Sequence, residues 1–336
     1  MRRIFTQLLC LFLFIFAAPL YADSHYAERP DVQAFIKKMV KKYHFNNKEL
    51  TALFNKVQPR AQVLHHLNKP LEKEYWSTYQ RLFVSEWRIE HGLKFWNKYS
   101  DALKRAEKMY GVPASIIVAT IGVETRYGER TGDYRVIDSL SSIAFSDSRR
   151  APYFRQELEQ FLLLSREQHI DPLKMMGSYA GAIGQPQFMP SSYRAYAVNF
   201  SNSGKIDLMH NEVDVIGSIA NYYSKAGWKI TEPVAIPANK LGDRYTFLTK
   251  KGKLSKSLTL AEVGNYGIIP SRPVPNVDEN LKVNVVTLQS RFSKEYWLAF
   301  HNFGVIKRYN PNDLYAMAVY QLSAYITDLR NRTNHG

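Results

Sequence analysis

Apolar residues recur every three to four positions along most of this sequence, and this spacing limits the possible folds more than any other feature. From residue 30 to about residue 110 the pattern occurs in several segments, and Pro59 and Pro70 separate some of them. Side chains with this spacing lie on one face of a helix. The sequence therefore predicts amphipathic helices that pack on one another. The clearest segments are 32–40, 50–57, 75–83 and 93–103.

The next segment is more strongly apolar. Pro113 is suited to open a helix, because the first helical turn leaves its N–H groups unpaired in any case. Nearly every residue of 116–123 is apolar, and Gly128 can end the helix. Further helical segments follow at 153–168, 212–226 and 314–329.

The pattern changes after Trp228. Five prolines lie between residues 233 and 275, and the short runs 245–248 and 283–288 are typical of strands. The sequence therefore predicts a mainly α protein with a small β-rich insertion.

The first residues resemble a secretory signal peptide. Arg2 and Arg3 precede an apolar run at 8–20, and the chain turns polar after Ala22, where we expect cleavage. The alternative is a retained membrane anchor. The chain has one cysteine, Cys10, which lies inside the apolar run, so a lipid anchor on a new N-terminal cysteine is not expected.

Composition indicates the kind of partner. The formal net charge is +15, and 22 tyrosines offer flat faces that suit sugar rings. A basic protein is attracted to anionic polymers. Export favours cell-wall glycans or membrane surfaces over nucleic acid.

Glu124 is the most unusual charged residue. It directly follows the apolar run, and on a helix it shares a face with Ile117, Thr120 and Ile121. Burial of a carboxyl group favours its protonated form, which a general acid needs near neutral pH. The alternative is a carboxylate paired with Arg126 or Arg130 at a helix end.

A second cluster, residues 177–191, combines small residues with amides. Its glycines allow close backbone approach, and Gln187 can both donate and accept hydrogen bonds. This suits the floor of a groove that recognises an N-acetyl sugar. A tightly packed helix pair with a proline-bounded loop is the alternative.

Three segments resemble the lytic murein transglycosylases of the B type, glycoside hydrolase family 103. They are 122–128, 178–193 and 308–310, and the resemblance extends from about residue 75 to the C-terminus. It implies a lysozyme-like helical core with an added helical domain and a small β domain. We therefore predict a signal peptide at 1–22, a helical domain at 23–105, a catalytic core at 106–232, a β-rich subdomain at 233–300 and a segment at 301–336 that returns to the core.

The resemblance also implies a reaction. Glu124 would protonate the β-1,4 bond between N-acetylmuramic acid and N-acetylglucosamine, then take the proton of the muramic acid C6 hydroxyl, giving a 1,6-anhydro end. Because the nucleophile belongs to the substrate, no second carboxylate is needed. Asp133 and Asp138 lie in a stretch predicted to be turn-like, and we expect no catalytic role for them.

Further site residues follow from the resemblance. Ser178 and Gln187 are expected to hold the substrate near the scissile bond, and Arg149 and Arg150 to contact its carboxylates. For each tyrosine, core packing remains an alternative. The other expected groove residues are Phe188 and Met189 as an apolar wall, together with Tyr79, Tyr153, Tyr222, Tyr309, Asn310 and Tyr315.

Related enzymes carry an EF-hand-like calcium loop after the Pro-Ser-Ser-Tyr segment. Here Gly204 is suitably placed for the turn, but few carboxylates are available and the spacing to the last one is longer. Affinity depends on ligand charge, so tight calcium binding is not expected, and no cofactor is required. The corresponding positions are Asn199, Ser201, Ser203, Lys205 and Asp214.

Two other functions remain open from the sequence. A hydrolase would need a second well-placed carboxylate, and a wall-binding scaffold would use the groove without cutting. We expect an exported monomer that acts on peptidoglycan glycan strands in the periplasm and does not bind nucleic acid. Association with the membrane or with other cell-wall enzymes is left open.

Overall fold

A computed structural model describes residues 26–67, 74–250, 253–254, 258–273 and 277–335. The predicted signal peptide, with Cys10 and the cleavage site after Ala22, lies outside the described residues, as does Pro70. Within the described ranges, none of the helices combines the length and apolar character needed to cross a membrane. The chain divides into two compact units, Met1–Gln58 and Pro59–Gly336.

The first unit contains two helices after a 3-10 turn at Tyr26–Glu28. Helix α1 is Pro30–Tyr43, and helix α2 is Asn47–Phe54. The Asn46 side chain accepts hydrogen bonds from the first backbone N–H groups of α2, which fixes where that helix begins. Phe35 and Phe54 meet edge to face with their ring centroids 5.7 Å apart, at the centre of the small core.

The second unit is built mostly from helices, at the places that the apolar spacing predicts. One predicted segment is corrected: 93–103 spans two helices, because Tyr99 leaves helical geometry at φ −112° and ψ 28°. The helices are α3 Ala61–Leu67, α4 Trp76–Phe83, α5 Glu86–Lys98, α6 Ser100–Tyr110, α7 Ala114–Thr125, α8 Val136–Ala144, α9 Ala151–Glu167, α10 Pro190–Tyr196, α11 Glu212–Lys225, α12 Leu260–Gly264, α13 His301–Tyr309 and α14 Asp313–His335.

Helix α7 lies at the centre of this unit. It packs against α5, α6, α11 and α14, and ten of its 12 residues are buried. A helix covered on all sides has no polar face, which explains its nearly continuous apolar sequence. The predicted end at Gly128 is wrong: the helix ends at Thr125, and Arg126 and Tyr127 both adopt left-handed backbone conformations at φ 53° and 60°.

A five-stranded antiparallel sheet occupies the predicted β-rich segment. Its strands are β3 Ala235–Lys240, β6 Leu258–Thr259, β7 Ile268–Pro270, β8 Lys282–Gln289 and β9 Lys294–Ala299. Their spatial order is β6-β8-β9-β3-β7, and Val286 of β8 faces Trp297 of β9. The buried side chains here, including Val283 and Leu298, form a separate small core. Elsewhere β1 Tyr134–Arg135 pairs with β2 Met176–Gly177, and β4 Thr249–Lys250 pairs with β5 Lys253–Leu254.

One predicted strand is wrong and another is confirmed. Residues 283–288 lie in β8, but 245–248 belong to a 3-10 helix, Arg244–Leu248. The backbone N–H and the hydroxyl of Thr246 both donate to the Asp243 carbonyl, at 2.9 and 2.6 Å, directly after Gly242 at φ 66°. This local turn takes the place of strand pairing. The predicted fold class, mainly α with a small β-rich insertion, is confirmed.

Candidate active site

Glu124 lies in the last turn of α7, where its side chain remains partly accessible to solvent. Its Oε1 atom accepts a hydrogen bond of 2.6 Å from the hydroxyl of Tyr315 in α14. Burial raises the pKa of the Glu124 carboxyl to about 7, and the Tyr315 hydrogen bond opposes this rise. The negative end of a helix dipole also disfavours a carboxylate at this position. The group can therefore hold and release a proton near neutral pH.

The backbone beyond Glu124 is held by a neighbouring ring. The Tyr127 hydroxyl donates to the Arg88 carbonyl at 2.6 Å, and the Arg88 Nε donates to the Gly122 carbonyl at 3.0 Å. A Cβ atom at Gly122 would lie 2.5 Å from the Tyr127 hydroxyl, and one at Gly92 would lie 2.6 Å from it. The two glycines make room for this ring, which joins α5 to the end of α7.

Arg126, a possible ion-pair partner of Glu124 from the sequence, pairs with Glu129 instead. Arg126 Nε lies 3.3 Å from a Glu129 carboxylate oxygen, and its guanidinium stacks over Trp87 at 3.9 Å from the ring centroid. Glu124 has a phenol as its hydrogen-bond partner. Such a partner leaves the carboxyl free to lose and regain a proton.

Four predicted groove residues meet beside Glu124. The Tyr309 and Tyr315 rings stack with centroids 6.3 Å apart, and Tyr309 also contacts Tyr222 at 4.8 Å and Phe188 at 5.8 Å. Burial raises the pKa of Tyr222 to about 12 and holds those of Tyr309 and Tyr315 well above the usual value. These phenols therefore stay neutral and can donate hydrogen bonds.

Two hydrogen bonds tie this aromatic cluster to the backbone. The Tyr309 hydroxyl donates to the Pro186 carbonyl, and the Tyr222 hydroxyl donates to the Arg308 carbonyl at 2.6 Å. The first bond links the end of α13 to the segment that contains Gln187 and Phe188. These two bonds therefore connect α11, the end of α13 and the segment around Pro186.

Ser178 and Gln187 lie in one compact loop. The Ser178 N–H donates to the Ala182 carbonyl at 2.9 Å, and the Ala182 N–H donates to the Ser178 Oγ at 3.1 Å. Gln187 has a left-handed backbone at φ 51°, and its amide donates to the Thr131 and Gly184 carbonyls. Met189 follows as the residue that caps α10 and is partly exposed.

The remaining predicted contacts each have part of their surface exposed. Tyr153 in α9 is 42% exposed, and burial of its hydroxyl beside Glu157 raises its pKa to about 12. Arg149 is exposed, and the Arg150 guanidinium packs over Phe154 at 5.0 Å. Asn310 follows the end of α13 and is partly exposed.

Tyr79 is 3% exposed, and Tyr315 is buried to a similar degree at 2%. The ring of Tyr79 packs 4.4 Å from that of Phe83 within α4, whereas the Tyr315 hydroxyl reaches Glu124. A groove role for Tyr79 stays a prediction.

The acidic residues nearest in sequence are engaged elsewhere or exposed. Asp133 is exposed. Contrary to the predicted turn, Asp138 lies in α8 and is 1% exposed, because both of its oxygens accept hydrogen bonds from Arg135, at 2.7 and 3.0 Å. This ion pair makes the buried position of Asp138 possible and occupies its carboxylate.

Sequence reasoning missed several residues around Glu124. Thr120 and Tyr223 are fully buried behind Tyr315, and Tyr127 supports the end of α7. Thr120 shares the helix face of Glu124, which was a usable signal. Tyr223 follows Tyr222 directly, and no pattern in the sequence distinguishes its buried role.

In the EF-hand-like loop, side-chain oxygens accept hydrogen bonds from N–H groups of the same loop. Asp214 is fully buried, and its two oxygens accept from the N–H groups of Ser201 at 2.7 Å and Asp207 at 3.1 Å. Asn199 Oδ1 accepts from the Ser203 N–H at 3.0 Å. Across the described ranges, no group of three or more His, Cys, Asp or Glu side chains is arranged to hold a metal ion. That this loop lacks a tight calcium site stays a prediction.

Comparison with known proteins shows the family to which this chain belongs. The family model described as the transglycosylase SLT domain matches residues 27–324. The membrane-bound lytic murein transglycosylase B of Escherichia coli (strain K12) is 39% identical over 309 residues, which cover 88% of this chain and 82% of the relative.

Solved structures agree with the sequence comparison. The soluble lytic transglycosylase SltB1 from Pseudomonas aeruginosa has a TM-score of 0.82 at 42% identity, covering 90% of this chain and all of that one. The Escherichia coli lytic transglycosylase Slt35, solved in complex with bulgecin A, has a TM-score of 0.82 at 39% identity, covering 91% of this chain and 95% of that one. The lysozyme-like fold is thereby confirmed. The chain belongs to the transglycosylase SLT domain family and is an enzyme of the lytic transglycosylase type.

Proposed function

We propose that this enzyme acts on murein, cleaving the β-1,4 bond between N-acetylmuramic acid and N-acetylglucosamine and leaving 1,6-anhydromuramic acid ends. Its relative of 39% identity is a lytic murein transglycosylase by name, which supports the substrate class. The signal-like first residues and the net charge of +15 fit an exported enzyme that meets an anionic wall polymer.

One observation carries the mechanism: a single carboxyl group whose environment suits both halves of the reaction. Burial raises the Glu124 pKa to about 7, so near neutral pH the group exists in both protonation states. The neutral form can donate a proton, and the ionised form is stabilised by the Tyr315 hydrogen bond. A residue that acts first as acid and then as base needs both forms.

The proposed steps balance without water. Glu124 donates its proton to the glycosidic oxygen as the bond from that oxygen to C1 of the muramic acid breaks. The C6 hydroxyl of the same sugar then forms a bond to C1 and returns its proton to Glu124. The carboxyl ends the cycle protonated, as it began.

The state of the nearby carboxylates favours this route over hydrolysis. Hydrolases of the usual types use a second carboxylate as nucleophile or as base for water. Asp138 is sequestered by Arg135, and Glu129 pairs with Arg126. Intramolecular attack requires neither, because the nucleophile is already held close to the reacting carbon.

The test is mass spectrometry of the muropeptides that the enzyme releases from purified peptidoglycan. The unsubstituted enzyme should release anhydro products, each one water lighter than the hydrolytic product. Glu124→Gln cannot donate the proton and should lower the rate by roughly 10²- to 10⁴-fold. Glu129→Gln, which changes an exposed carboxylate five residues away, is the matched control and should retain the activity.

Other results would point elsewhere. Reducing-end products would establish a hydrolase and require a second acidic residue. Binding to peptidoglycan without any released product would favour a scaffold that uses the same groove.

A further inference from the structure

One end of the five-stranded sheet exposes large apolar side chains that the proposed mechanism does not use. Phe292 lies in the turn between β8 and β9 and is 90% exposed, the highest value among the large apolar residues that the structure describes. Leu241, 56% exposed, directly follows β3. Ile269, 37% exposed, lies on the edge strand β7 opposite Asn239. Side chains left in water to this extent add little to the stability of the fold.

The strand register brings these residues to the same end of the sheet. Ala238 of β3 pairs with Tyr296 of β9, and the strands are antiparallel, so the chain after Ala238 and the chain before Tyr296 lead to one end. The Leu241 N–H donates to the Gly267 carbonyl at 2.7 Å, which holds it beside the start of β7. Three of the ten exposed large apolar side chains of the described chain lie here and form a patch, whereas single ones are ordinary. We call this end the sheet tip and define it as residues 239–244, 267–269 and 290–295.

Basic side chains accompany the apolar ones at the sheet tip. Arg291 and Lys294 lie on either side of Phe292 in the sequence, and both are exposed. The Arg291 guanidinium lies 5.2 Å from the centroid of the Phe292 ring. The exposed acidic residue of this region, Asp243, pairs with Lys240 at 2.9 Å. The sheet tip therefore presents apolar surface together with positive charge.

The turn that carries Phe292 is short and held by the backbone. The Ser290 N–H donates to the Ser293 carbonyl at 2.9 Å, so Arg291 and Phe292 occupy the two central positions. Turns of this length favour Gly, Asn and Asp at these positions. Neither an arginine nor a phenylalanine serves the turn itself. A contact outside the fold explains the pair better than folding does.

We propose that the sheet tip binds an anionic lipid surface. Phe292 and Leu241 enter between the headgroups, and Arg291 and Lys294 bind the lipid phosphates. Apolar and aromatic side chains bind at the boundary between headgroups and acyl chains, and each basic residue near an anionic bilayer adds attraction. None of the residues assigned to catalysis belongs to the sheet tip, so this inference does not rest on the proposed function.

The shape and chemistry of the sheet tip favour a bilayer over a protein or a glycan. Stable protein interfaces bury roughly 1,200–2,000 Å² between complementary surfaces, and a two-residue turn offers little such area. A glycan site places several fixed polar groups beside an aromatic face. The neighbours of Phe292 are instead long cationic side chains. A bilayer needs no matching surface, and the net charge of +15 draws the whole chain toward anionic lipids.

Insertion can be measured at residue 292 itself. Phe292→Trp keeps an aromatic ring there and adds an indole whose fluorescence is quenched by brominated acyl chains. The vesicles contain phosphatidylcholine and phosphatidylglycerol, with and without bromine. Ile230→Trp is the matched control, because residue 230 is 76% exposed and lies outside the sheet tip. Stronger quenching in Phe292→Trp than in Ile230→Trp supports the inference, and equal quenching overturns it.

The strength of binding tests the apolar part of the contact. In vesicle sedimentation with the full chain, Phe292→Ser should bind about tenfold more weakly or less tightly still, because the phenyl ring no longer leaves water. Ile230→Ser removes a comparable exposed side chain elsewhere and should bind like the unsubstituted protein. Every variant carries the same first residues, so any affinity of that segment cancels from the comparison. Equal binding by Phe292→Ser and Ile230→Ser contradicts the inference.

Substitution of the cations tests the other part. Arg291→Gln combined with Lys294→Gln should weaken binding by roughly fivefold per charge at low salt, and added salt should reduce this difference. The control combines Lys104→Gln with Lys108→Gln, two exposed lysines of α6, and changes the net charge equally. A smaller loss in the control supports a contact at the sheet tip. Equal losses would mean that binding follows net charge alone, which overturns the inference.

Two further measurements distinguish other outcomes. Phe292→Ser that binds vesicles normally but loses binding to purified peptidoglycan would identify a wall polymer as the partner and overturn the lipid contact. Failure of the unsubstituted protein to bind anionic vesicles would do the same. Muropeptide release by Phe292→Ser should equal that of the unsubstituted protein. Release and vesicle binding are measured separately, so failure of the proposed function and failure of this inference are separate results.

Discussion

Burial of the Glu124 carboxyl has a cost for folding that depends on pH. Its pKa is about 7 in the folded protein and 4.5 for the ordinary group. Below pH 4.5 both states are protonated and no cost arises. As the pH rises from about 4.5 to about 7 the unfolded state loses this proton while the folded state keeps it, so stability falls by about 3 kcal/mol in all and changes little above pH 7. Glu124→Gln removes this dependence and should become more stable relative to the unsubstituted protein as the pH rises.

Denaturant unfolding of both proteins at pH 4 and pH 8 measures this effect. The advantage of Glu124→Gln should be about 3 kcal/mol larger at pH 8 than at pH 4. The exposed Glu129 serves as control, because its substitution by Gln should show no comparable change with pH. An equal difference between Glu124→Gln and the parent at both pH values would contradict the raised pKa.

At the scale of single residues, the sequence singled out Glu124 but few of the residues that contact it or hold the end of its helix. Glu124 was recognisable because a carboxyl group directly follows a run of apolar residues. Thr120 and Tyr223 are hydrogen-bonded to each other but lie on different helices, 103 positions apart in the sequence. Long-range contacts of this kind leave no periodic signal.

At the scale of elements, the end of α7 depends on a glycine that makes room for a ring. A Cβ at Gly122 would lie 2.5 Å from the Tyr127 hydroxyl oxygen, and that ring is held by its bond to Arg88. Overpacking of this kind costs about 1–3 kcal/mol. This exceeds the gain of up to about 1 kcal/mol that alanine gives over glycine in a helix. Gly122→Ala should therefore lower the free energy of unfolding and the activity together.

A second helical glycine provides the control. A Cβ at Gly304 in α13 meets no atom within 4 Å, so Gly304→Ala should stabilise the protein by up to about 1 kcal/mol. Thermal or denaturant unfolding distinguishes the two variants by the sign of the change. Stabilisation by Gly122→Ala would mean that the Tyr127 ring is free to move away.

Helical spacing located most helices because packing on one apolar face leaves a repeated pattern. Their ends were less predictable. Gly128 was a suitable stop signal, yet Arg126 and Tyr127 take the left-handed conformations, since the Tyr127 ring is bound between α5 and α7. Residues 245–248 had the composition of a strand, but the local bonds to Asp243 decided their structure.

At the scale of the whole molecule, stability has few sources other than packing. One cysteine cannot form a disulfide within the chain, and the loop at 199–214 offers its oxygens to backbone N–H groups. The fold class and the β-rich insertion were predictable because they follow from composition and spacing over long segments. Whether a metal adds to this stability depends on individual hydrogen bonds that spacing does not reveal.

Calcium should therefore leave the thermal unfolding midpoint unchanged. A site of micromolar affinity would add about 4 kcal/mol in millimolar calcium, and each kcal/mol raises the midpoint by roughly 2–4 °C in domains of about 150–250 residues and by somewhat less in a longer chain. Scanning calorimetry in calcium, in magnesium and in a chelator would detect such a shift easily. A rise with calcium alone that Asp214→Asn abolishes would contradict the prediction. It would mean that the bonds from Ser201 and Asp207 to Asp214 yield to the ion, and that the carboxylate then serves as a ligand.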